Sequence, residues 1–213
     1  MCVKYNAVFV NKYTNVNTQI IMGDNGLNYI SPMIINGIII ETDGFEVLSI
    51  DTVENYTADQ LNIFDYDIKN NFYILKNYSL KIEIPVNVFE KSAEKETSEN
   101  IIIELTDKKN GKMKIRDKNI EINRFELLNS FDVLYKEINK KYEIKICAFC
   151  KNSCWNPYGG TDFCNHLCFK IFSNEYYKIN NRSKVEIVKL MEKYTGQYEN
   201  VYLTNSCEEY MEK

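Results

Sequence analysis

Short apolar runs separated by polar turn residues fill the first two-thirds of the chain, and they constrain the fold more than any other feature. Segment 80–84, with the sequence LKIEI, alternates cleanly, so one of its faces should be buried and the other solvated. Runs rich in Ile, Val, Phe and Tyr between such turns are typical of β-strands. The sequence predicts strands at residues 4–10, 18–22, 33–42, 45–50, 72–75, 79–89, 100–106 and 112–122.

Turn signals separate several of these strands. The Asn-Gly pair at 36–37 indicates a turn, and the Asp-Gly pair at 43–44 and the Asn-Gly pair at 110–111 each predict a tight hairpin. Thr57, with a glutamine three residues later, predicts a capped helical turn. Segment 90–99 is charged and has almost no apolar content, so it is predicted to be a mobile loop.

Helical spacing appears twice in the last third of the chain. Between residues 124 and 140, apolar residues recur at steps of three and four, and this stripe is interpreted as core rather than as a cofactor site. Residues 142–146 return to a strand. Segment 183–194 opens with Ser-x-x-Glu, a capping-box pattern, and Gly196 is placed to end this second helix. A short strand is predicted at 201–203.

Strands followed by helices predict the α+β fold class. We expect a β-rich, sandwich-like body over residues 1–141, with one helix near its end. A smaller α/β section follows over residues 142–213, and the two can pack as one continuous domain. The chain has 213 residues, of which 45% are hydrophobic, so it can bury a sizeable core.

The charge balance excludes some classes of protein. The formal net charge is −4, whereas a nucleic-acid-binding protein usually carries a strong basic footprint. Segment 136–145 is basic but is interrupted by two glutamates. The N-terminus lacks a secretory signal pattern, and no segment approaches the roughly 20 apolar residues that span a bilayer. We therefore expect a cytoplasmic protein with reduced thiols.

Six of the seven cysteines lie after residue 146, and their spacing indicates a metal site. Cys147 and Cys150 have the two-residue spacer that lets both sulfur atoms of a tight turn face one zinc ion. Zinc takes about four ligands in a tetrahedron, and spacing alone suggests Cys164 and Cys168 as the second pair. His166 is an alternate ligand that could replace one of them. Segment 142–213 is accordingly predicted to be a zinc-binding section.

A set of motifs in the last 70 or so residues resembles a known domain family. The motifs are Cys147-x-x-Cys150, then Asn-Pro-Tyr-Gly-Gly at 156–160, then Leu-Cys-Phe around Cys168, and finally Thr-x-x-Cys ending at Cys207. Together they resemble an uncharacterised bacterial family described only as a domain of unknown function (type 6304). The resemblance covers the strand-rich body only loosely. It implies no activity.

This resemblance implies a different ligand set from the one that spacing suggests. The recurring cysteines of the family match Cys147, Cys150, Cys168 and Cys207, which we adopt as the predicted ligands of a structural zinc ion. Cys164 and the intervening Cys154 depart from the family pattern. We interpret Cys154, like Cys2, as a small buried hydrophobic residue.

Catalytic alternatives find little support in the sequence. The chain has one histidine, whereas catalytic zinc sites usually have histidine ligands and keep a position open for water. The motifs HExxH, GxSxG and a phosphate-cradling loop are absent, and no residue is assigned a catalytic role. An iron–sulfur cluster or a redox Cys-x-x-Cys remain weaker alternatives for the cysteines.

The favoured hypothesis is a non-enzymatic, cytoplasmic protein-binding module with a structural zinc site. A bacterial immunity protein that neutralises a toxin fits this profile, and a basic toxin domain would complement the acidic charge. Trp155 and Tyr158 flank the cysteines and are candidate partner-binding residues, or they pack over the zinc site. The alternatives are a zinc-ribbon-like nucleic-acid-binding or regulatory protein, and a thiol redox protein that uses Cys147.

Overall fold

The computed structural model describes residues 2–23, 32–43, 47–51, 53–108, 110–123, 127–155, 157, 166–179, 183–201 and 210. Its helices are α1 (Ala58–Leu61), α2 (Leu127–Ile138), α3 (Ser173–Tyr177) and α4 (Lys184–Lys193). No helix in these ranges is both long and apolar enough to cross a membrane. Its strands are β1 (Cys2–Val10), β2 (Asn15–Gly23), β3 (Met33–Ile35), β4 (Ile38–Asp43), β5 (Val47–Ile50), β6 (Asp65–Lys69), β7 (Phe72–Lys76), β8 (Ser79–Glu90), β9 (Lys95–Thr106), β10 (Asn110–Ile115), β11 (Lys118–Asn123), β12 (Tyr142–Ile144), β13 (Ser153–Trp155), β14 (His166–Cys168) and β15 (Glu199–Val201).

One antiparallel sheet dominates the molecule. Its strands follow the order β11-β10-β9-β8-β1-β2-β3-β4-β5-β7-β6, and β12 pairs with β8 off this path. Residues 38–40 of β4 pair with β3, whereas residues 41–43 pair with β5. β3 and β5 thus pair with successive halves of β4 on its opposite edges, and the sheet as a whole is curled. The predicted α+β class and strand-rich body are confirmed.

Strand β8 anchors the segment that leads to the cysteines. Its residues 79–83 pair with β1, and its residues 88–90 pair with β12, while β9 runs along its whole other edge. The backbone that enters Cys147 is therefore fixed by the longest hairpin of the main sheet.

Contacts between the β1–β2 turn and the segment before β6 hold the curl together. The side-chain amide of Asn11 donates a hydrogen bond to the carbonyl oxygen of Ile63 at 2.9 Å. The ammonium group of Lys12 lies 3.0 Å from the carboxylate of Asp65. This contact lowers the pKa of Asp65 below its usual value. The β1–β2 turn and the start of β6, which are far apart in the strand order, are thus held together.

The inner face of the sheet forms one continuous core with helix α2. Phe131, Leu134 and Ile138 lie on the buried side of α2, as the helical spacing predicted. The ring of Phe149, in the turn after β12, lies 6.2 Å from the ring of Phe131. The turn that begins at Cys147 is therefore packed against the main core.

A second, smaller unit is built from β13, β14 and β15, which form a separate three-stranded antiparallel sheet. One face of this sheet packs against α3 and α4 through a second core. Ser183 caps α4 by accepting a hydrogen bond from the backbone of Glu186 at 3.4 Å, and Gly196 follows the helix with a φ of 78°. The second predicted helix is thus confirmed. The buried members of this core are Leu167, Phe169, Phe172, Tyr176, Ile187, Leu190 and Met191.

Two local turn predictions are confirmed. Asn36 and Gly37 join β3 to β4 with φ angles of 51° and 82°, the positive values that a two-residue hairpin turn needs. Thr57 and Gln60 form a reciprocal capping box at the start of α1. The hairpin predicted at the Asp-Gly pair 43–44 cannot be compared in the same way, because residues 44–46 lie outside the described residues.

Two other predictions are wrong. A hairpin joins β9 to β10 near the predicted place, but its turn lies between Thr106 and Asn110, and the Asn-Gly pair at 110–111 opens β10 instead of forming the turn. Segment 90–99 is not a mobile loop: β8 extends to Glu90, a short turn covers residues 91–94, and β9 begins at Lys95. In both places tertiary contacts override local preference.

Gly111 is required by the close approach of β9. A Cβ atom at this position would lie 2.6 Å from the carbonyl oxygen of Glu104 and 3.0 Å from a methyl group of Leu105.

We expect Gly111→Ala to destabilise the protein by about 1–3 kcal/mol, the usual cost of overpacking. The urea midpoint measures this effect. Gly37→Ala is the control, because an added Cβ atom at Gly37 meets no neighbour and the only cost is the positive φ, about 1 kcal/mol. A larger loss of stability for Gly37→Ala than for Gly111→Ala would contradict the explanation.

Arg116 explains why the charged end of the β8–β9 hairpin remains ordered. Its guanidinium group donates hydrogen bonds to Glu90 and to Glu99, each at 3.0 Å, and to the hydroxyl of Thr97 at 2.5 Å. It also lies 4.7 Å from the ring centre of Tyr142 in β12. The hydrogen bond with Tyr142 is the largest cause that raises the pKa of Arg116, and the bond to Glu90 raises this pKa further. The side chain therefore stays charged. One cation therefore ties together β8, β9 and β12.

Candidate metal centre

The first cysteine pair lies on a compact turn directly after β12. Residues Cys147–Phe149 form one turn of 3-10 helix, and the backbone N–H of Cys150 donates to the carbonyl oxygen of Cys147 at 3.1 Å. The hydroxyl group of Ser153 donates to that same carbonyl and lies 3.1 Å from the carbonyl oxygen of Cys150. Both cysteines are 4% exposed. The predicted two-residue spacer thus produces a closed, buried turn.

The register of the small sheet decides which cysteines can face this turn. Ser153 pairs with Cys168, and Cys154 pairs with Leu167. Directly opposed residues share a face and successive residues alternate, so Cys168 and His166 share one face while Cys154 lies on the other. Cys154 packs against the second core, as expected for a small hydrophobic residue.

Cysteines that are distant in the sequence meet on the first of these faces. Cys147, Cys168 and Val201 form one small buried cluster, separate from the two larger cores. Cys168 is 8% exposed and His166 is 7% exposed. The cluster brings together the turn after β12, strand β14 and the end of β15.

Both ends of the segment that contains Cys207 are attached to this turn. Val201 belongs to the buried cluster, and the hydroxyl of Tyr210 donates a hydrogen bond to the carbonyl oxygen of Phe149 at 3.2 Å. Phe149 lies between Cys147 and Cys150 in the sequence. No local pattern in the sequence marks Tyr210. Ser153 was not predicted either, although a serine three residues after a Cys-x-x-Cys pair is suited to bonding the turn.

Hydrogen bonds hold the turn against α3. The backbone N–H of Phe169 donates to the carbonyl oxygen of Asn152 at 2.8 Å. The hydroxyl of Tyr176 donates to the carbonyl oxygen of Ser153 at 3.3 Å, and that of Tyr177 donates to the side chain of Asn152. The tyrosines of α3 therefore fix the link between the turn and the small sheet.

The described residues contain only part of the predicted ligand set. Within the described ranges, no three Cys, His, Asp or Glu side chains are grouped closely enough to hold a metal ion. Cys164 and Cys207 lie outside those ranges, as does Tyr158. Trp155 lies in β13 and pairs with His166. Cys147, Cys150, Cys154 and Cys168 are not in disulfides.

Fold and site together define a strand-rich α+β protein with a buried cysteine turn between two cores. Comparison with known proteins finds no matching family model, no matching curated protein and no matching solved structure. The resemblance to the domain family of type 6304 therefore stays a prediction.

Proposed function

We propose that this chain is a non-enzymatic, cytoplasmic protein-binding module whose C-terminal section is held by one structural zinc ion. The proposed ligands are Cys147, Cys150, Cys168 and Cys207. The observation that carries the proposal is the buried cluster of Cys147, Cys168 and Val201, which joins two chain segments that share no core.

The chemistry of the cluster suits zinc. Thiolates in a reducing compartment favour soft or borderline metals, and zinc accepts four of them in a closed tetrahedron. Without a cation, several thiolates close together in a buried site would be costly. When bound, zinc would supply a cross-link between the turn after β12, strand β14 and the segment after β15.

The reach of the chain supports Cys207 as the fourth ligand. Cys207 is three residues before Tyr210, and three residues span at most about 11 Å. Tyr210 is bonded to the carbonyl oxygen of Phe149, within the turn that carries Cys147 and Cys150. Cys164 is two residues before His166 and remains the alternate, as does His166 itself, which shares the face of Cys168.

Two serine variants separate these ligand sets. We expect the purified protein to contain about one zinc per chain, to lose or loosen it in Cys207→Ser, and to retain it in Cys164→Ser, because removing a true ligand removes folding energy. Elemental analysis of protein purified without added zinc measures this. Cys154→Ser is the matched control, since Cys154 faces the second core. Equal retention in Cys207→Ser and Cys164→Ser would refute the proposed ligands.

The proposed partner is a basic protein domain, such as a toxin neutralised by an immunity protein. The net charge of −4 supports a basic partner, because complementary charge accelerates and selects association. Co-purification from the native host should recover a basic domain that is released by salt. Recovery of nucleic acid with a steep salt dependence, and of no protein, would contradict the proposal.

A further inference from the structure

Ser153 is hydrogen-bonded to both members of the first cysteine pair. Its backbone N–H donates to the carbonyl oxygen of Cys150 at 3.2 Å, and its hydroxyl group donates to the carbonyl oxygen of Cys147. A serine hydroxyl has a single hydrogen, so the nearer of the two carbonyl groups, that of Cys147, receives it. Ser153 is only 2% exposed, so bulk water does not compete for this bond. One buried residue therefore closes the turn at both of its cysteines.

The same residue lies opposite the third proposed ligand. Ser153 pairs directly with Cys168 in the register of β13 and β14, so the two residues share one face of the small sheet. The hydrogen bond from the backbone N–H of Phe169 to the carbonyl oxygen of Asn152, at 2.8 Å, continues this contact beyond the ends of the strands. Ser153 thus connects the turn that carries the first cysteine pair to the strand that carries Cys168.

Helix α3 fixes Ser153 from the side of the second core. The hydroxyl group of Tyr176, which is fully buried, donates a hydrogen bond to the carbonyl oxygen of Ser153 at 3.3 Å. The hydroxyl group of Tyr177 donates to the side chain of Asn152, the residue before Ser153. Both tyrosines pack in the second core. The place of Ser153 is therefore determined by that core as well as by the cysteine turn.

We propose that Ser153 is a positioning residue for the zinc ion, an inference that rests on the zinc site proposed above. Its hydroxyl group holds the carbonyl group of Cys147, and with it the backbone that carries this thiol, in a fixed relation to Cys168. Because the hydroxyl hydrogen is donated to a carbonyl oxygen, Ser153 is not itself a ligand. Residues that orient metal ligands through hydrogen bonds change metal affinity by about 10–100-fold when they are replaced.

Competition with a chromophoric zinc chelator tests this inference on the full-length protein. Ser153→Ala should still bind about one zinc per chain, with an affinity lowered by about 10–100-fold. Ser153→Thr should recover most of the loss, because threonine keeps the hydroxyl group. In the cobalt-substituted protein, the absorption bands of Ser153→Ala should shift, since these bands report the arrangement of the thiolates around the metal.

Ser183→Ala is the matched control. It removes another serine hydroxyl from the same section, one that caps α4 by accepting a hydrogen bond from the backbone of Glu186. A general loss of folding stability also lowers zinc affinity, and the loss of a helix cap accounts for about fivefold. The cobalt bands of Ser183→Ala should stay in place. The difference between the two variants therefore measures the positioning effect.

Tyr176→Phe keeps the test decisive if Ser153→Ala does not fold. It removes the hydrogen bond to the carbonyl oxygen of Ser153 and should lower zinc affinity by about threefold to tenfold; unchanged affinity would then overturn the inference. If Ser153→Ala folds and binds zinc as tightly as Ser183→Ala, or if Ser153→Thr binds no more tightly than Ser153→Ala, the positioning role alone is overturned and the zinc site stands. A wild-type chain that holds no zinc would overturn both.

Discussion

Cys168→Ser is expected to remove the proposed zinc ion and to unfold the section that contains β13 to β15, while the main sheet stays folded. The binding free energy of a structural zinc ion is about 10–16 kcal/mol in small zinc-binding peptides. Among the described residues the second core has seven buried members, so its stability should depend on this contribution. Among the described residues, the buried members of the main core end at Phe149 and Tyr210 packs against them, so we expect the main core to stay folded without the small sheet.

Hydrogen exchange resolved by segment measures this effect. In Cys168→Ser, amides of α4 and of the small sheet should lose protection, whereas those of β8 and β9 should keep it. Adding a strong chelator to the wild-type protein should give the same pattern. Cys154→Ser is the control, because its side chain lies on the opposite face of the sheet and should change stability by only about 1–2 kcal/mol. Uniform loss of protection across the molecule, or none in α4, would contradict the account.

Arg116→Leu is expected to give the second large effect. The side chain of Arg116 is 17% exposed, and its partners Glu90 and Glu99 are 28% and 30% exposed. Removing the cation leaves two half-buried carboxylates that have lost their shared partner. Breaking a fully buried pair costs about 3–5 kcal/mol, and the partial exposure here reduces the expected loss of unfolding free energy to roughly 2–3 kcal/mol.

Urea denaturation gives this value directly, as a midpoint lowered by about 1 M for a slope of 2–3 kcal/mol/M. Arg116→Lys should recover only part of the loss, because an ammonium group cannot reproduce the forked contacts to both glutamates. Lys112→Ala is the matched control in β10, since its 3.7 Å contact with Glu121 is exposed and worth about 0–1 kcal/mol. Equal effects at Arg116 and Lys112 would show that the cluster does not organise the hairpin.

Most of the sheet could be predicted from the sequence because its residues alternate between a buried and an outward face. The errors at segment 90–99 and at Gly111 have a common cause. Composition reports local preference, whereas both places are determined by contacts across strands, from Arg116 in one case and from the carbonyl oxygen of Glu104 in the other.

The site could be predicted only in part, for a related reason. The spacing of Cys147 and Cys150 requires nothing beyond a local turn, so the sequence indicates it directly. Which later cysteines join them depends on the pairing of β13 with β14, and this register is not encoded locally. The pairing of Cys154 with Leu167 places that thiol on the face away from the buried cluster.

We propose that thiolates from separate parts of the chain surround one metal ion. X-ray absorption at the zinc edge, on protein purified from zinc-sufficient medium, tests it most directly. We expect about one zinc per chain with a shell of about four sulfur atoms near 2.3 Å. A protein without bound metal, or zinc surrounded only by nitrogen and oxygen atoms, would contradict it.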